Sequence, residues 1–93
     1  MRVYGDAVVA KFARRHPASR SALQRFLEIA KSATWRNFIA VKQTLATADY
    51  VTGRLIFDVG GNKYRVIASV DFQDQALLVE AVLTHQEYDR EVF

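Results

Sequence analysis

The chain has 93 residues, of which 51% are hydrophobic and 25% charged, a composition that is ordinary for one small folded domain. We therefore expect a single domain over residues 1–93. No apolar run approaches the roughly 20 residues that span a bilayer, no signal-like segment opens the chain, and no cysteine is present for a disulfide or a thiolate zinc site. These features predict a small cytoplasmic protein that does not bind a membrane.

Positive charge is concentrated in the first half of the chain. Residues 1–42 hold nine lysines and arginines against two acidic residues, a balance of +7, whereas residues 43–93 have a balance of −4. Such a split favours a basic surface that attracts phosphate, although an ordinary solvated helix face would give the same count.

The chain opens with a short β-prone stretch, residues 1–4, followed by a helical pattern. Apolar residues at spacings of three and four predict a helix over 7–15, with Asp6 as its N-cap. His16 and Pro17 end this helix, because proline disfavours helical geometry in the residue before it.

Further helices are expected between residues 17 and 48. A second helix should start near 17–19, where proline suits the first turn and serine the cap, and run to about residue 31. Thr34 is a candidate cap for a third, shorter helix that would carry Trp35, Phe38 and Ile39 on one face.

After residue 49 the period of the apolar residues changes to two. Residues 54–59, 63–72 and 76–84 predict an antiparallel meander of three strands, with positive-φ residues at 60–62 for a tight reversal. The expected fold is α+β, with N-terminal helices packed on the apolar face of a mostly antiparallel C-terminal sheet. The other face is mixed and should stay exposed at least in part; it would carry Arg54, Ile56, Asp58, Arg65, Ile67, Ser69, Asp71, Leu78, Glu80, Val82 and Thr84.

Several familiar kinds of active site are absent from the sequence. There is no phosphate loop of Walker spacing, no serine in a nucleophile elbow, and no carboxylate pair at metal spacing beside His16 or His85. What remains near the ends of the predicted sheet is a group of cationic and proton-transferring side chains: Arg54, Lys63, Arg65, His85, Tyr88 and Arg90.

Such a group would suffice for RNA cleavage in which a 2′-hydroxyl attacks the adjacent phosphate without a metal. Histidine exchanges protons near neutral pH, arginine and lysine stabilise the negative charge of the transition state, and tyrosine can orient a phosphate or stack on a base.

Each of these residues also has a structural alternative. Thr84 and Glu87 fit the capping box S/T-x-x-E at the start of a helix. The spacing leaves the following alternatives open: His85 as a surface residue at the first helical position, Tyr88 as cover for the sheet edge, Asn62 and Lys63 as hairpin residues, Trp35 as a core residue, and Arg54 as a salt-bridge partner of Asp58 or Glu80.

The chain carries FDVGGNKYRVIASVDF at 57–72 and LTHQEYDR at 83–90. In order and separation, these segments closely resemble the HigB family of type II toxins. RHPASRSAL at 15–23 and ATWRNFIAVKQTLATADYV at 33–51 extend the resemblance over nearly the whole chain.

The resemblance implies a RelE-like fold and a ribosome-dependent mRNA interferase that needs no metal or cofactor. It also implies a HigA-type helix-turn-helix antitoxin, which neutralises the toxin and makes the DNA contacts of the complex, so that the toxin meets DNA only indirectly.

Site residues are carried over from the resemblance by their positions. His85 would be the general acid or base, Arg65 the phosphate stabiliser, Tyr88 the substrate orienter and Lys63 a second cation, while Asp89 would orient a basic neighbour. Strand parity assigns Tyr64 to the core. The expected RNA-binding residues are Asn62, Arg54, Lys42 and Arg36.

Two other classes of function remain open from the sequence. One is a non-catalytic RNA- or ribosome-binding module, including a degenerate toxin that retains only antitoxin binding. The other is a transcriptional regulator acting alone, which is weaker because the short helices show no convincing helix-turn-helix pair.

Overall fold

A computed structural model describes residues 1–90 of the chain; residues 91–93, the end of the expected domain, lie outside the described residues. Within 1–90, no helix has the length and apolar content needed to cross a membrane. The elements are β1 Arg2–Tyr4, α1 Asp6–Arg15, a 3₁₀ turn Pro17–Ser19, α2 Arg20–Ser32, α3 Phe38–Thr44, β2 Asp49–Val51, β3 Arg54–Val59, β4 Tyr64–Asp71, β5 Ala76–Thr84 and α4 His85–Arg90.

The strands of the described chain form one sheet in the order β1-β5-β4-β3-β2. The predicted meander of β3, β4 and β5 is confirmed as its antiparallel centre. β2 adds an antiparallel edge that the sequence did not reveal, and β1 pairs in parallel with the start of β5. The expected α+β fold with a mostly antiparallel sheet is therefore confirmed.

A β-bulge in the centre of the sheet changes which residues face the helices. Ile67 lies opposite Ala81 but the next residue, Ala68, lies opposite Val79, so Glu80 is an extra residue in β5. Strict alternation had assigned Val82 to the mixed face. That assignment is wrong, because beyond the bulge Val82 belongs to the core.

The second residue misassigned by strict alternation is Thr84. It lies directly opposite Tyr64, and Tyr64 packs against the core. Residues directly opposite in an antiparallel pair share a face of the sheet, so Thr84 is on the helix side. This places the start of α4 close to the side of the sheet that the helices cover.

The helices bury an aromatic core against one face of the sheet. The ring of Phe57 packs between those of Phe26 and Trp35, with centroids 4.8 and 6.0 Å away. The Tyr64 ring meets Phe12 of α1 edge-on at 5.6 Å, as its predicted core position requires. Trp35 is a core residue. Burial of each such side chain contributes about 1.5–3 kcal/mol, which fixes the helices on this face.

Two of the predicted helix starts are wrong. Gly5, not Asp6, occupies the N-cap of α1, in the left-handed region with φ 98°. The third helix starts at Phe38 rather than after Thr34, because Asn37 is its cap and accepts a hydrogen bond from the Ala40 N–H at 2.9 Å.

The expected apolar face of the third helix is also wrong. Trp35 precedes α3 and is buried, whereas Ile39 within α3 is 69% exposed. The three residues Trp35, Phe38 and Ile39 therefore do not share a buried face, because Trp35 lies outside the helix and adjacent helical residues point about 100° apart around the axis.

The face of the sheet away from the helices is mixed, as predicted, but it is not open throughout. Ile56 and Ile67 lie directly opposite each other, both 1% exposed, although their chain neighbours on the two strands point into the helix-covered core. Arg65 precedes Ile67 by two residues on the same face. It therefore stands at the border of a small apolar patch.

We predict that Gly5→Ala destabilises the protein more than Gly53→Ala does. Both glycines have positive φ, 98° and 79°, so each alanine costs about 1–2 kcal/mol of backbone strain. A Cβ at Gly5 would also collide with the carbonyl oxygen of Val79, whereas nothing lies within 4 Å of one at Gly53. Chemical denaturation should give an extra loss of about 1–3 kcal/mol for Gly5→Ala. Equal losses would contradict the close approach of Gly5 to β5.

Candidate active site

A tight hairpin joins β3 to β4 at one end of the sheet. Gly60, Gly61 and Asn62 have φ values of 68°, 61° and 78°, as the predicted reversal requires. The hairpin sets the register of the two strands and places Asp58 directly opposite Arg65. A carboxylate and a guanidinium therefore face each other across the strands.

The first turn of α4 is fixed by a capping box, as the sequence predicted. The backbone N–H of Thr84 donates to the Glu87 carboxylate at 2.8 Å, and the Glu87 N–H donates to the Thr84 hydroxyl at 3.1 Å. The His85 N–H donates to the Lys63 carbonyl at 2.9 Å. The start of α4 is thereby attached to the hairpin.

Arg65 is buried between these two elements, with a relative exposure of 7%. Its Nε lies 3.0 Å from an Asp58 carboxylate oxygen. Nη1 donates to the carbonyls of Asn62 and Tyr64 at 3.1 and 3.2 Å, and Nη2 donates to the Asn62 side-chain oxygen at 2.7 Å. A buried guanidinium needs such a set of acceptors, because an unpaired buried charge is costly.

His85 completes the environment of Arg65. Nη2 of Arg65 lies 2.9 Å from Nδ1 of His85, and Nε2 of His85 lies 3.3 Å from an Asp89 carboxylate oxygen. The His85 side chain is 47% exposed, so solvent reaches it. The Tyr88 ring centroid lies 5.5 Å from the guanidinium carbon of Arg65. We call this group the His85 cluster: Asp58, Asn62, Arg65, His85, Tyr88 and Asp89.

The structure thus brings together three of the four predicted catalytic residues: His85, Arg65 and Tyr88. The fourth, Lys63, is exposed on the hairpin and is bonded through its carbonyl to the start of α4. Asn62, predicted to bind RNA, accepts hydrogen bonds from Arg65 through both its carbonyl and its side chain.

Arg54 lies on the same face of the sheet but pairs with Glu80, with Nε 3.2 Å from a carboxylate oxygen. Of the two partners considered from the sequence, Glu80 is therefore correct, and Asp58 pairs with Arg65 instead. Asp58 is four positions after Arg54 on β3, a distance of about 13 Å along a strand.

The other two predicted RNA-binding residues, Arg36 and Lys42, make contacts elsewhere than with the residues of the His85 cluster. Arg36 shares a cavity with Phe72, just beyond the far end of β4 and about 23 Å along that strand from Arg65. The ammonium of Lys42 donates to the carbonyl of Ala46, in the connection from α3 to β2.

Sequence reasoning missed the role of Asp58 as the partner of Arg65. The sequence contained a signal for this pairing. If residues 60–63 form the reversal, residue 59 lies opposite residue 64, and residue 58 lies opposite residue 65. No group of three or more metal-ligating side chains occurs within residues 1–90.

One carboxyl beside the cluster has a perturbed pKa. The hydrogen bond from the backbone N–H of Thr84 lowers the pKa of Glu87 below its ordinary value of 4.5, and burial opposes it. The Thr84 hydroxyl and the nearby side chains of His16 and Arg15 act in the same direction as the backbone. The ionised carboxylate therefore stabilises the first turn of α4.

Comparison with known proteins gives the chain a family. The profile of the HigB toxin family, the RelE-like toxic component of a toxin–antitoxin system, matches residues 19–91. The chain belongs to this family. Its fold of helices on a five-stranded, mostly antiparallel sheet agrees with a RelE-like toxin.

Individual relatives carry names that refer to RNA. The mRNA interferase toxin HigB of Escherichia coli K12 is 42% identical over 50 residues, which cover 54% of this chain and 48% of that protein. The mRNA interferase HigB of Shigella flexneri gives the same values, so the chain spans about half the length of these two relatives. The mRNA interferase HigB of Escherichia coli O6:H1 is 27% identical, and the alignment covers 97% of this chain and 90% of the relative.

We predict that the capping carboxylate makes stability depend on pH. The folded state lowers the pKa of Glu87. The contribution of its carboxylate to the free energy of unfolding is therefore fully present above pH 4.5, and it is lost as the pH falls through the lowered pKa. Glu87→Gln keeps an oxygen acceptor but does not titrate. At neutral pH the Glu87→Gln variant should lose up to about 1 kcal/mol of unfolding free energy, and no more, because the Glu87 carboxylate is exposed and screened by solvent. This difference in unfolding free energy should shrink below pH 4.5.

The matched control is Glu28→Gln on α2, which removes the same charge from a carboxyl that makes no hydrogen bond within residues 1–90. Its effect on the unfolding free energy should be smaller. If Glu87→Gln and Glu28→Gln follow the same pH profile, the capping box does not hold the start of α4.

Proposed function

We propose that this chain is the toxin of a type II toxin–antitoxin pair and that it inhibits translation by cutting mRNA on the ribosome. Membership of the HigB toxin family and relatives named as mRNA interferases support this proposal. The observation that carries it is the contact of His85 with Arg65 at an exposed end of the sheet, beside Lys63.

The proposed reaction is an attack by a ribose 2′-oxygen on the adjacent phosphorus. His85 takes the proton of the 2′-hydroxyl, the O2′–P bond forms and the P–O5′ bond breaks, and the 5′-oxygen leaves as a hydroxyl after taking a proton from solvent. The products carry a 2′,3′-cyclic phosphate and a 5′-hydroxyl. A positioned histidine contributes about 10²–10⁴-fold to such a step.

The cations near His85 would stabilise the negative charge that develops on the phosphate. Lys63 is exposed, so its flexible side chain can reach a substrate. Arg65 brings a second positive charge, held at a fixed distance from His85. Tyr88, whose ring lies beside that guanidinium, would orient the nucleotide at the cut.

The predicted RNA-binding residues would extend the contact with RNA beyond the reacting phosphate. The hairpin that carries Asn62 would lie beside the cut, and Arg54, on the same face of the sheet as Arg65, would follow the mRNA. Arg36 and Lys42 belong to the basic first half of the chain, which would contact ribosomal RNA. Contacts of this kind bind the phosphate backbone without reading sequence.

The proposed partners follow from the same family. A HigA-type helix-turn-helix antitoxin would bind the toxin and make the DNA contacts of the complex, and the ribosome would present the mRNA. Since the ribosome translates mRNA in the cytoplasm, the proposed activity would take place there.

A second candidate function is a non-catalytic module that binds RNA or the antitoxin. One observation favours it: the N–H groups of Arg65 are occupied by acceptors of the protein itself. In that case the His85 cluster would be a structural device, and expression of the protein would leave mRNA intact.

We predict that induced expression arrests growth and creates new 5′ ends within translated mRNA, and that His85→Ala abolishes both effects. His16→Ala is the matched control, because His16 ends α1 and stacks on Phe12 at 4.3 Å, outside the cluster. Sequencing of cellular 5′ ends after induction measures the cuts. The two variants should fold alike by circular dichroism.

The outcomes separate the two candidate functions. Cuts by the parent and by His16→Ala, but not by His85→Ala, support the nuclease. Intact transcripts with the parent protein would favour the binding module. Equal cutting by His85→Ala would contradict the assignment of His85 as the proton-transfer residue.

A further inference from the structure

The two terminal nitrogens of the Arg65 guanidinium have as many acceptors as they have N–H groups. Arginine carries five N–H donors and no acceptor: one on Nε and two on each terminal nitrogen. Nη1 has the carbonyls of Asn62 and Tyr64, and Nη2 has the Asn62 side chain and His85, while Nε is held in an ion pair with Asp58. A phosphate oxygen can therefore bind a terminal nitrogen of Arg65 only by replacing one of these acceptors.

The contact with Arg65 also determines where the proton of His85 sits. Because arginine cannot accept a hydrogen bond, Nδ1 of His85 must be the acceptor at 2.9 Å. The neutral imidazole then carries its proton on Nε2, which lies 3.3 Å from the Asp89 carboxylate. In this state neither nitrogen has a lone pair available for the proton of a 2′-hydroxyl.

Among the acceptors of Arg65, His85 is the one that a substrate can replace most easily. Asp58 forms a cross-strand ion pair whose loss would leave a buried charge unpaired. Asn62 and Tyr64 bind Arg65 from within the hairpin and the adjoining start of β4. His85 is a neutral side chain on a short helix, half exposed and able to rotate about its side-chain bonds.

We propose that the hydrogen bond from Arg65 to His85 holds the site in a resting state and that an RNA phosphate breaks it by taking the Nη2 donor of Arg65. This inference rests on the proposed function. Asp58 and Asn62 are positioning residues, because they keep the guanidinium in place while one of its acceptors is exchanged. Substrate binding and activation of the histidine thus become one event.

The protons balance in this exchange. Once Nδ1 is released, it takes a proton from solvent while Nε2 gives one up, so the imidazole stays neutral and its free lone pair moves to Nε2. Nε2 then accepts the proton of the 2′-hydroxyl when the O2′–P bond forms. Asp89, 3.3 Å from Nε2 before the exchange, stabilises the imidazolium that results.

Nitrogen-15 NMR of the imidazole rings tests the resting state directly, because it distinguishes a proton on Nδ1 from a proton on Nε2. In the unliganded protein we expect neutral His85 to carry its proton on Nε2. Asp58→Ala and Asn62→Ala should shift His85 toward a mixture of tautomers. Arg54→Gln removes an arginine of the same sheet face that pairs elsewhere, and should leave the ring unchanged.

A second arm of the experiment adds RNA. The probe is a short single-stranded RNA with 2′-O-methyl groups, which cannot be cut, and the control carries the same bases on an uncharged methylphosphonate backbone. We expect the RNA to move the His85 proton to Nδ1, and the uncharged analogue to leave it on Nε2. A ring spectrum unchanged at the highest RNA concentration, or changed equally by both oligonucleotides, would overturn the proposal.

Failure of this inference can be distinguished from failure of the proposed function. If the unliganded His85 already carries its proton on Nδ1 while the protein cuts mRNA, the resting state is wrong and the nuclease stands. If the ring behaves as expected but transcripts remain intact, the exchange stands and the nuclease is wrong.

Discussion

The site depends on one buried charge, the guanidinium of Arg65. A cation that is 7% exposed must find acceptors within the protein, and these come from three places: Asp58 on β3, the hairpin at 60–64, and His85 on α4. The contacts that pair the Arg65 guanidinium therefore fix the relative positions of β3, the hairpin and α4. Because each terminal nitrogen of Arg65 already has two acceptors, a ligand that binds one of these nitrogens must displace one of them.

Much of the fold was predictable because its signals are local. Alternation gave the three central strands and their order, and the positive-φ residues at 60–62 gave the reversal between two of them. β2 was missed because three residues are too short to show a period. Val82 and Thr84 were assigned to the wrong face because a bulge depends on the pairing of two strands and leaves no mark in either one alone.

Several residues of the His85 cluster were singled out from the sequence, whereas their contacts were not. The capping box at Thr84 and Glu87 follows from spacing, and resemblance to the HigB toxins selected His85, Arg65 and Tyr88. The contact between Arg65 and His85 could not be predicted, since it depends on the angle at which α4 leaves β5. The same holds for the RNA-binding assignments: only the fold shows that Arg36 lies near the far end of β4 from Arg65 and that Lys42 contacts the connection between α3 and β2.

The chemical nature of the cut ends tests most directly whether the His85 cluster cleaves RNA by attack of the 2′-hydroxyl. Purified protein is added to translating ribosomes on a defined mRNA, and the ends of the fragments are identified. The upstream fragment should end in a 2′,3′-cyclic phosphate or its hydrolysed 3′-phosphate, the downstream fragment should begin with a 5′-hydroxyl, and His85→Ala should produce neither. A 3′-hydroxyl paired with a 5′-phosphate, or an uncut mRNA, would contradict this mechanism.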